Sequence, residues 1–282
     1  MKRSSEFNSK GILYLISSPI GNLKDFSFRA IETLKSLDIL YCEDTRVTSK
    51  LLSHYDIKLT LDSYHDFSDS SKEEKIINEL KEGKIIGLIS DAGTPIISDP
   101  GYEIVKKAIE NEIKVYHIPG ASAQVSSLIL STLPPKPYLF YGFLDKQQSK
   151  KKKELVELSN YPFTIVFYES PLRLKSTLKL MYEVLGDRKA SISREITKLY
   201  EETIYLNLSE YESLDENLKG EMVICISPCL KEAVSIDYKK EMDKLLSKGL
   251  KVKDAARMVA DMCGISYKEI YNEYARGQKW KY

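Results

Sequence analysis

Histidine is scarce in this chain: three in 282 residues (His54, His65 and His117), none in an H-E-x-x-H spacing. Cysteine is scarce too, and of the four (Cys42, Cys225, Cys229 and Cys263) the pair Cys225 and Cys229 has no second pair to complete a tetrahedral site. Buried free thiols are the plainer expectation, and no metal is expected. No apolar run approaches the roughly 20 residues that span a bilayer, and the opening MKRSSEFNSKG lacks the apolar centre of a signal peptide. The expectation is a cytoplasmic protein with no membrane partner. An excess of one charge is also missing: Lys+Arg number 42 against 41 Asp+Glu, so any nucleic-acid contact must come from local patches. Neither G-x-x-x-x-G-K-[ST] nor a G-x-G-x-x-G after the first apolar run occurs. That excludes a P-loop nucleotide site and argues against a dinucleotide site.

What is present is a rhythm. Apolar runs alternate with amphipathic segments: ILYLI (12–16), 25–37, DILYC (38–42), 48–55, 73–83, KIIGLI (84–89), 102–112, KVYHI (114–118) and 122–131. This β, α alternation predicts a parallel sheet covered by helices, and the length predicts at least two domains. Three prolines in TLPPKPY break the pattern, giving an N-terminal α/β domain over 1–134. Runs at 138–143, 163–168, 189–195, 202–208 and 220–227, with helical stretches near 148–159 and 172–186, predict a second α/β domain over 135–230. It should carry some antiparallel pairing, because two of its strands follow each other without a long helix between. From Asp237 the chain reads as three short helices parted at Gly249 and Gly264, a helical tail over 231–282 resembling a helix-turn-helix. Packing, dimerisation and RNA contact are all open to it.

In a parallel sheet, ligands bind beyond the carboxyl ends of strands, and here those ends carry SSPIGN, EDTR, SDAGTP and IPGASA. The second domain adds YESPLR and REITK, so a cleft between the domains is expected. Glycine, alanine and serine let backbone amides approach a ligand closely. A zwitterionic nucleoside such as S-adenosylmethionine suits that chemistry, with Asp91 near its amino group, although a capped turn before the helix at 102–112 would also explain SDAGTPIISDPG.

The run LYLISSPIGNLKDFSFRAIETLKSLDILYCEDTR, followed by SDAGTPIISDPGYE, IPGASA, LFYGFL, FTIVFYESPLRL and SREITKLYEE, resembles the ribosomal RNA small subunit methyltransferase I family, within the tetrapyrrole methylase-like enzymes. The resemblance covers about residues 11–227. It implies a homodimeric, cytoplasmic, two-domain α/β enzyme that uses S-adenosylmethionine. Its implied substrate is the ribose 2′-hydroxyl of one cytidine in the decoding region of 16S rRNA, within the small ribosomal subunit. Carried over by motif, the cofactor site falls on Pro19, then on Asp91, Ala92, Gly93, Thr94, Pro95, Ser98 and Asp99. Ser122, Ala123, Tyr168, Glu169 and Ser170 complete it. Two departures are mild: Ala121 where proline is common, and Ser18 where threonine is frequent.

Methyl transfer to a hydroxyl needs a proton acceptor, and Glu43, Asp44, Glu169 and Glu195 stand unranked at predicted strand ends. Arg46, Arg173, Arg194 and Lys198 share those loops, where they can bind RNA phosphates or brace the carboxylates. The lysine run Lys150, Lys151, Lys152 and Lys153 is either an RNA contact or a solvated helix face. Two rival readings remain. Methylation of a tetrapyrrole carbon would go with a G-x-G-P-G loop where this chain has SSPIGN. A ribosome-binding protein without turnover would go with degraded loops, which are not seen.

Overall fold

Ile12–Ile16 (β1), Ile39–Cys42 (β2), Leu61–Ser63 (β3), Ile85–Ile89 (β4) and Lys114–Ile118 (β5) form one sheet in the order β3-β2-β4-β1-β5. All of its pairings are parallel. A computed structural model supplies this description for residues 11–65, 70–215, 218–229, 238–263 and 266–277. The expectations placed on 1–10, on 231–237 and on Gly264 lie outside them.

A parallel sheet must bury both faces, and the strand sequences are apolar enough to do so. On one face Leu13 and Leu15 pack with Ile76, Ile77 and Leu80 of α3 (Ser70–Lys81) and with Ile104 and Ala108 of α4 (Tyr102–Glu110). On the other, Ile16 and Leu40 meet Ala30 and Leu34 of α1 (Phe28–Lys35) and Leu52 of α2 (Thr45–His54). Caps set two of the helix starts. Ser27 accepts from the Ala30 N–H at 3.1 Å, so the helix expected from residue 25 begins at Phe28, after one 3-10 turn over Leu23–Asp25. Asp44 caps α2 by accepting from the Arg46 N–H at 2.8 Å, which starts that helix earlier than its apolar spacing suggests. Strand β3 was not expected. LDS offers no apolar run, and its place at the sheet edge comes from pairing with β2 through Leu40 and Leu61.

Tyr138–Phe143 (β6), Thr164–Glu169 (β7), Lys189–Arg194 (β8), Glu202–Asn207 (β9) and Met222–Ile226 (β10) form the second sheet, ordered β6-β7-β10-β8-β9. Only β6 and β7 run parallel; β10 is antiparallel to both β7 and β8. Alternation along β10 serves two layers. Met222, Ile224 and Ile226 join the core under α6 (Gln148–Leu158) and α7 (Leu174–Leu185), while Val223 and Cys225 face Leu128 of α5 (Ala123–Leu130). A helix from the first half thus lies on the second sheet. For that reason the halves expected as domains 1–134 and 135–230 form one compact unit, 1–228, and 229–282 forms another.

The second unit holds Tyr238–Ser247 (α8), Val252–Cys263 (α9) and Tyr267–Gly277 (α10) around Met242, Ala255, Ala256, Val259 and Ile270. Of the cysteines, Cys42 and Cys225 are buried free thiols, Cys229 is half-buried, and the side chain of Cys263 lies outside the described residues.

Candidate active site

With all first-sheet strands pointing one way, the loops after β1, β2, β4 and β5 emerge at a single edge. Hydrogen bonds tie them together. Ser18 and Gly93 exchange backbone bonds of 2.8 and 3.2 Å, joining SSPIGN to SDAGTP. Gly93 holds φ +84°, a left-handed conformation that a side chain resists. Ser17 Oγ donates to Thr94 Oγ1 at 3.2 Å, and Thr94 Oγ1 donates to the Ala121 carbonyl at 3.3 Å. With the serine proton spent on Thr94, His117 Nε2, 3.1 Å from Ser17 Oγ, must be the donor to it. Burial, then the Arg29 charge, lowers the His117 pKa and favours its neutral form. Asp91 Oδ1 accepts the Asp44 N–H at 3.1 Å, fastening EDTR to the same edge.

These loops open onto a cavity of about 390 Å³. From the first half, Ile20, Glu43, Asp91, Ala92, Gly93 and Thr94 line it, continued by Ile97, Ser98, Asp99, Ser122 and Ala123. Pro19 and Pro95, expected in the cofactor site, are not in the lining; Pro95 is buried behind its loop. Asp44 is also outside it, and the Arg46 guanidinium, 2.6 Å away, holds its carboxyl down at about 2.

The second sheet contributes Phe143, Tyr168, Glu169, Ser170 and Pro171, then Glu195, Ile196 and Lys198. Glu221, Met222 and Val223 were missed. They do not follow a carboxyl strand end: β10 is antiparallel, so its amino end reaches this edge. Met222 pairs with Glu169 on one side and Arg194 on the other. Phe143, also missed, packs its ring 5.4 Å from that of Tyr168.

Tyr168 is enclosed on its other side by Phe140, at 4.9 Å between ring centres. Burial pushes its hydroxyl up to about 12 against a hydrogen bond from the Gln124 backbone, with Asp99 and Glu221 adding to the rise. A raised phenol contributes stability that is present below its ordinary value near 10 and is lost as pH climbs towards 12. Tyr168→Phe is therefore expected to flatten the alkaline loss of stability between pH 10 and 12, read by denaturant titration at stepped pH; an unchanged profile would refute this.

Glu169 is 2% exposed and saturated with donors. Oε1 takes the Ser170 N–H at 2.7 Å and Arg173 at 2.6 Å; Oε2 takes Thr177 Oγ1 at 2.6 Å, with Lys151 Nζ at 3.7 Å. Lys151, expected with its neighbours either as an RNA contact or on a solvated helix face, is 5% exposed and turned inward. The reason is helical spacing: Lys151, Leu155 and Leu158 form the buried stripe of α6, leaving Lys150, Lys152 and Lys153 exposed. Arg194 pairs with Glu202 at 2.7 Å, and Arg173 reaches Glu169; neither arginine lines the cavity, nor does Arg46.

Backbone strain gathers at the same place. Ile96 (φ +75°) and Ser98 (+66°) precede the cavity's Asp99, and Glu195 (+51°) and Thr197 (+68°) flank Ile196. Such conformations cost about 1–3 kcal/mol each and persist where the surroundings enforce them. Among the described residues, no group of three or more His, Cys, Asp or Glu could hold a metal ion. No described helix is long and apolar enough to cross a membrane.

Residues 12–212 match the tetrapyrrole (corrin/porphyrin) methylases. The ribosomal RNA small subunit methyltransferase I of Bacillus subtilis is 43% identical, over 97% of this chain and 98% of its own. That of Rickettsia prowazekii is 40% identical over 94% of each. The chain belongs to the ribosomal RNA small subunit methyltransferase I family, within the tetrapyrrole methylases. Among solved structures, a cobalt precorrin-4 methyltransferase of cobalamin biosynthesis superposes with a TM-score of 0.60, over 80% of this chain and 98% of its own, at 14% identity. A diphthine synthase does so at 0.57, over 77% and 89%, at 13% identity. At such identities the likeness shows the shared methylase fold alone. Within this family, Ala121 in place of proline is tolerable here because the position's hydrogen bond is through its carbonyl, which any residue supplies.

Proposed function

We propose that this chain methylates the ribose 2′-hydroxyl of a cytidine in the decoding region of 16S rRNA, on the small ribosomal subunit, using S-adenosylmethionine. The carrying observation is the cavity, which joins a carboxylate (Asp91), a small-residue backbone cradle (Ala92, Gly93, Ala123) and apolar and aromatic walls (Ile97, Tyr168, Val223). That set fits a zwitterionic nucleoside sulfonium: Asp91 would pair with its ammonium, and Ser122 with the first turn of α5 would face its carboxylate. Ser122 is free for this, since its side chain makes no capping bond in α5. When bound, the donor supplies an already activated methyl group.

The chain's own part is to hold the ribose oxygen in line, exclude water and take up a proton, and alignment alone is worth up to about 7–11 kcal/mol in ideal cases. Support for rRNA as the acceptor comes from the relatives' names and from Lys198 in the cavity lining; Arg46, Lys152 and Lys153 add exposed cations to the surface. The enzyme acts as a cytoplasmic homodimer, each chain carrying two α/β halves that meet near 134 within one unit and then the helices α8 to α10, and it needs no metal. The test is transfer of labelled methyl from S-adenosylmethionine to small subunits from cells lacking this protein, with mapping of the modified atom. One ribose-methylated cytidine in the decoding region is expected. Methylation of a tetrapyrrole carbon, with none on subunits, would overturn the reading.

A further inference from the structure

The structure sets Glu169 and Asp44 aside, and we propose Glu195, set by Lys198 and by the space left at Gly220, as the group that takes the proton of the attacking ribose hydroxyl. This rests on the ribose-methylation reading above. Two of the other candidates are committed elsewhere. Glu169 has donors on both oxygens and sits inside an ionic cluster. Asp44 lies off the cavity, gripped by Arg46 through both oxygens.

Glu195 stands apart because three independent features hold it in the cavity wall. Its backbone is left-handed at φ +51°, followed by Thr197 at +68°, so the chain is bent where β8 ends. Lys198 Nζ, itself in the lining, donates to Oε1 at 2.9 Å and orients the carboxylate. Gly220 (φ +87°) makes the room: a Cβ there would stand 2.1 Å from Glu195 Oε1. The register of β7, β10 and β8 puts this loop beside Ser170 and Glu221, at the edge shared with the cofactor cradle.

In the step, the ribose oxygen bonds to the methyl carbon of the sulfonium donor as its O–H proton passes to the Glu195 carboxylate. The C–S electron pair stays on sulfur, leaving a neutral thioether, and the carboxylic acid later gives its proton to water. Glu195 is thus a general base whose positioning residue is Lys198.

The experiment compares wild type, Glu195→Gln, Glu195→Asp and Gly220→Ala in single-turnover methylation of small subunits across pH, with Glu43→Gln and Glu221→Gln alongside. S-adenosylhomocysteine affinity by calorimetry and subunit affinity by filter binding are read on each protein. Expected is a loss of at least about 100-fold for Glu195→Gln with both affinities within 3-fold of wild type. Partial recovery in Glu195→Asp is expected too. Gly220→Ala, which keeps the carboxylate but displaces it, should lose about 10-fold or more. A Glu195→Gln rate within 5-fold of wild type overturns the inference, as does a comparable loss of S-adenosylhomocysteine affinity, which would make Glu195 a binding residue. Wild type that methylates no ribose defeats the underlying reading instead.

Discussion

Asp91→Ala should weaken S-adenosylmethionine binding by roughly 10- to 100-fold, because a charge-assisted hydrogen bond to a ligand ammonium contributes about 1.5–3 kcal/mol. Asp91 also holds the loop together through the Asp44 N–H at 3.1 Å. Asp91→Asn separates the two roles, since the amide oxygen can still accept that N–H while the negative charge is gone. Calorimetry should therefore find both variants weakened. Thermal unfolding should move by only a few degrees in Asp91→Ala, as expected for one partly exposed hydrogen bond, and less in Asp91→Asn. Unchanged affinity in both would remove Asp91 from the ligand site.

Glu169→Ala should cost about 3–5 kcal/mol of stability, the penalty for breaking a buried ion pair and leaving its partner uncompensated. Of its two cationic partners, Arg173 at 2.6 Å and Lys151 at 3.7 Å, the one left stranded in the interior is Lys151, 5% exposed and bonded to Thr177 Oγ1 at 2.7 Å. Urea denaturation measures the loss, and Lys151→Met added to Glu169→Ala should recover part of it by removing the stranded cation. A loss below about 1 kcal/mol, or a double variant no better than the single one, would show that the cluster is not what holds the YESPLR loop against α6 and α7. Because Glu169 also lines the cavity, the same variant is expected to weaken cofactor binding; its stability loss is the reading that distinguishes bracing from contact.

Most of the first sheet's share of the cavity was legible in the sequence for a simple reason. SDAGTP, EDTR and IPGASA each follow an apolar run, and parallel strands put every such loop on the same side. The second sheet was less legible. Its strands run both ways, so Glu221, Met222 and Val223 enter the site from an amino end, and no run of residues marks them. Phe143 was hidden in the same manner, reading as one more apolar residue in YLFYGF. The lysine run misled at one position because charge in a list of letters has no direction; three of its members face solvent, while Lys151 falls on the helical stripe that meets Glu169.

The sequence by itself determined the element order apart from the edge strand β3, the two kinds of sheet, the loops that carry carboxylates and glycines, and the family, because these follow from local periodicity and contiguous motifs. Tertiary structure alone decided that α5 fuses the two halves into one unit, that Glu169 is locked in an ionic cluster, and that Glu195 lies against Gly220 with Lys198 on its oxygen. Those facts depend on strand direction and on pairs of residues far apart in the chain, which come together only when the sheets are built.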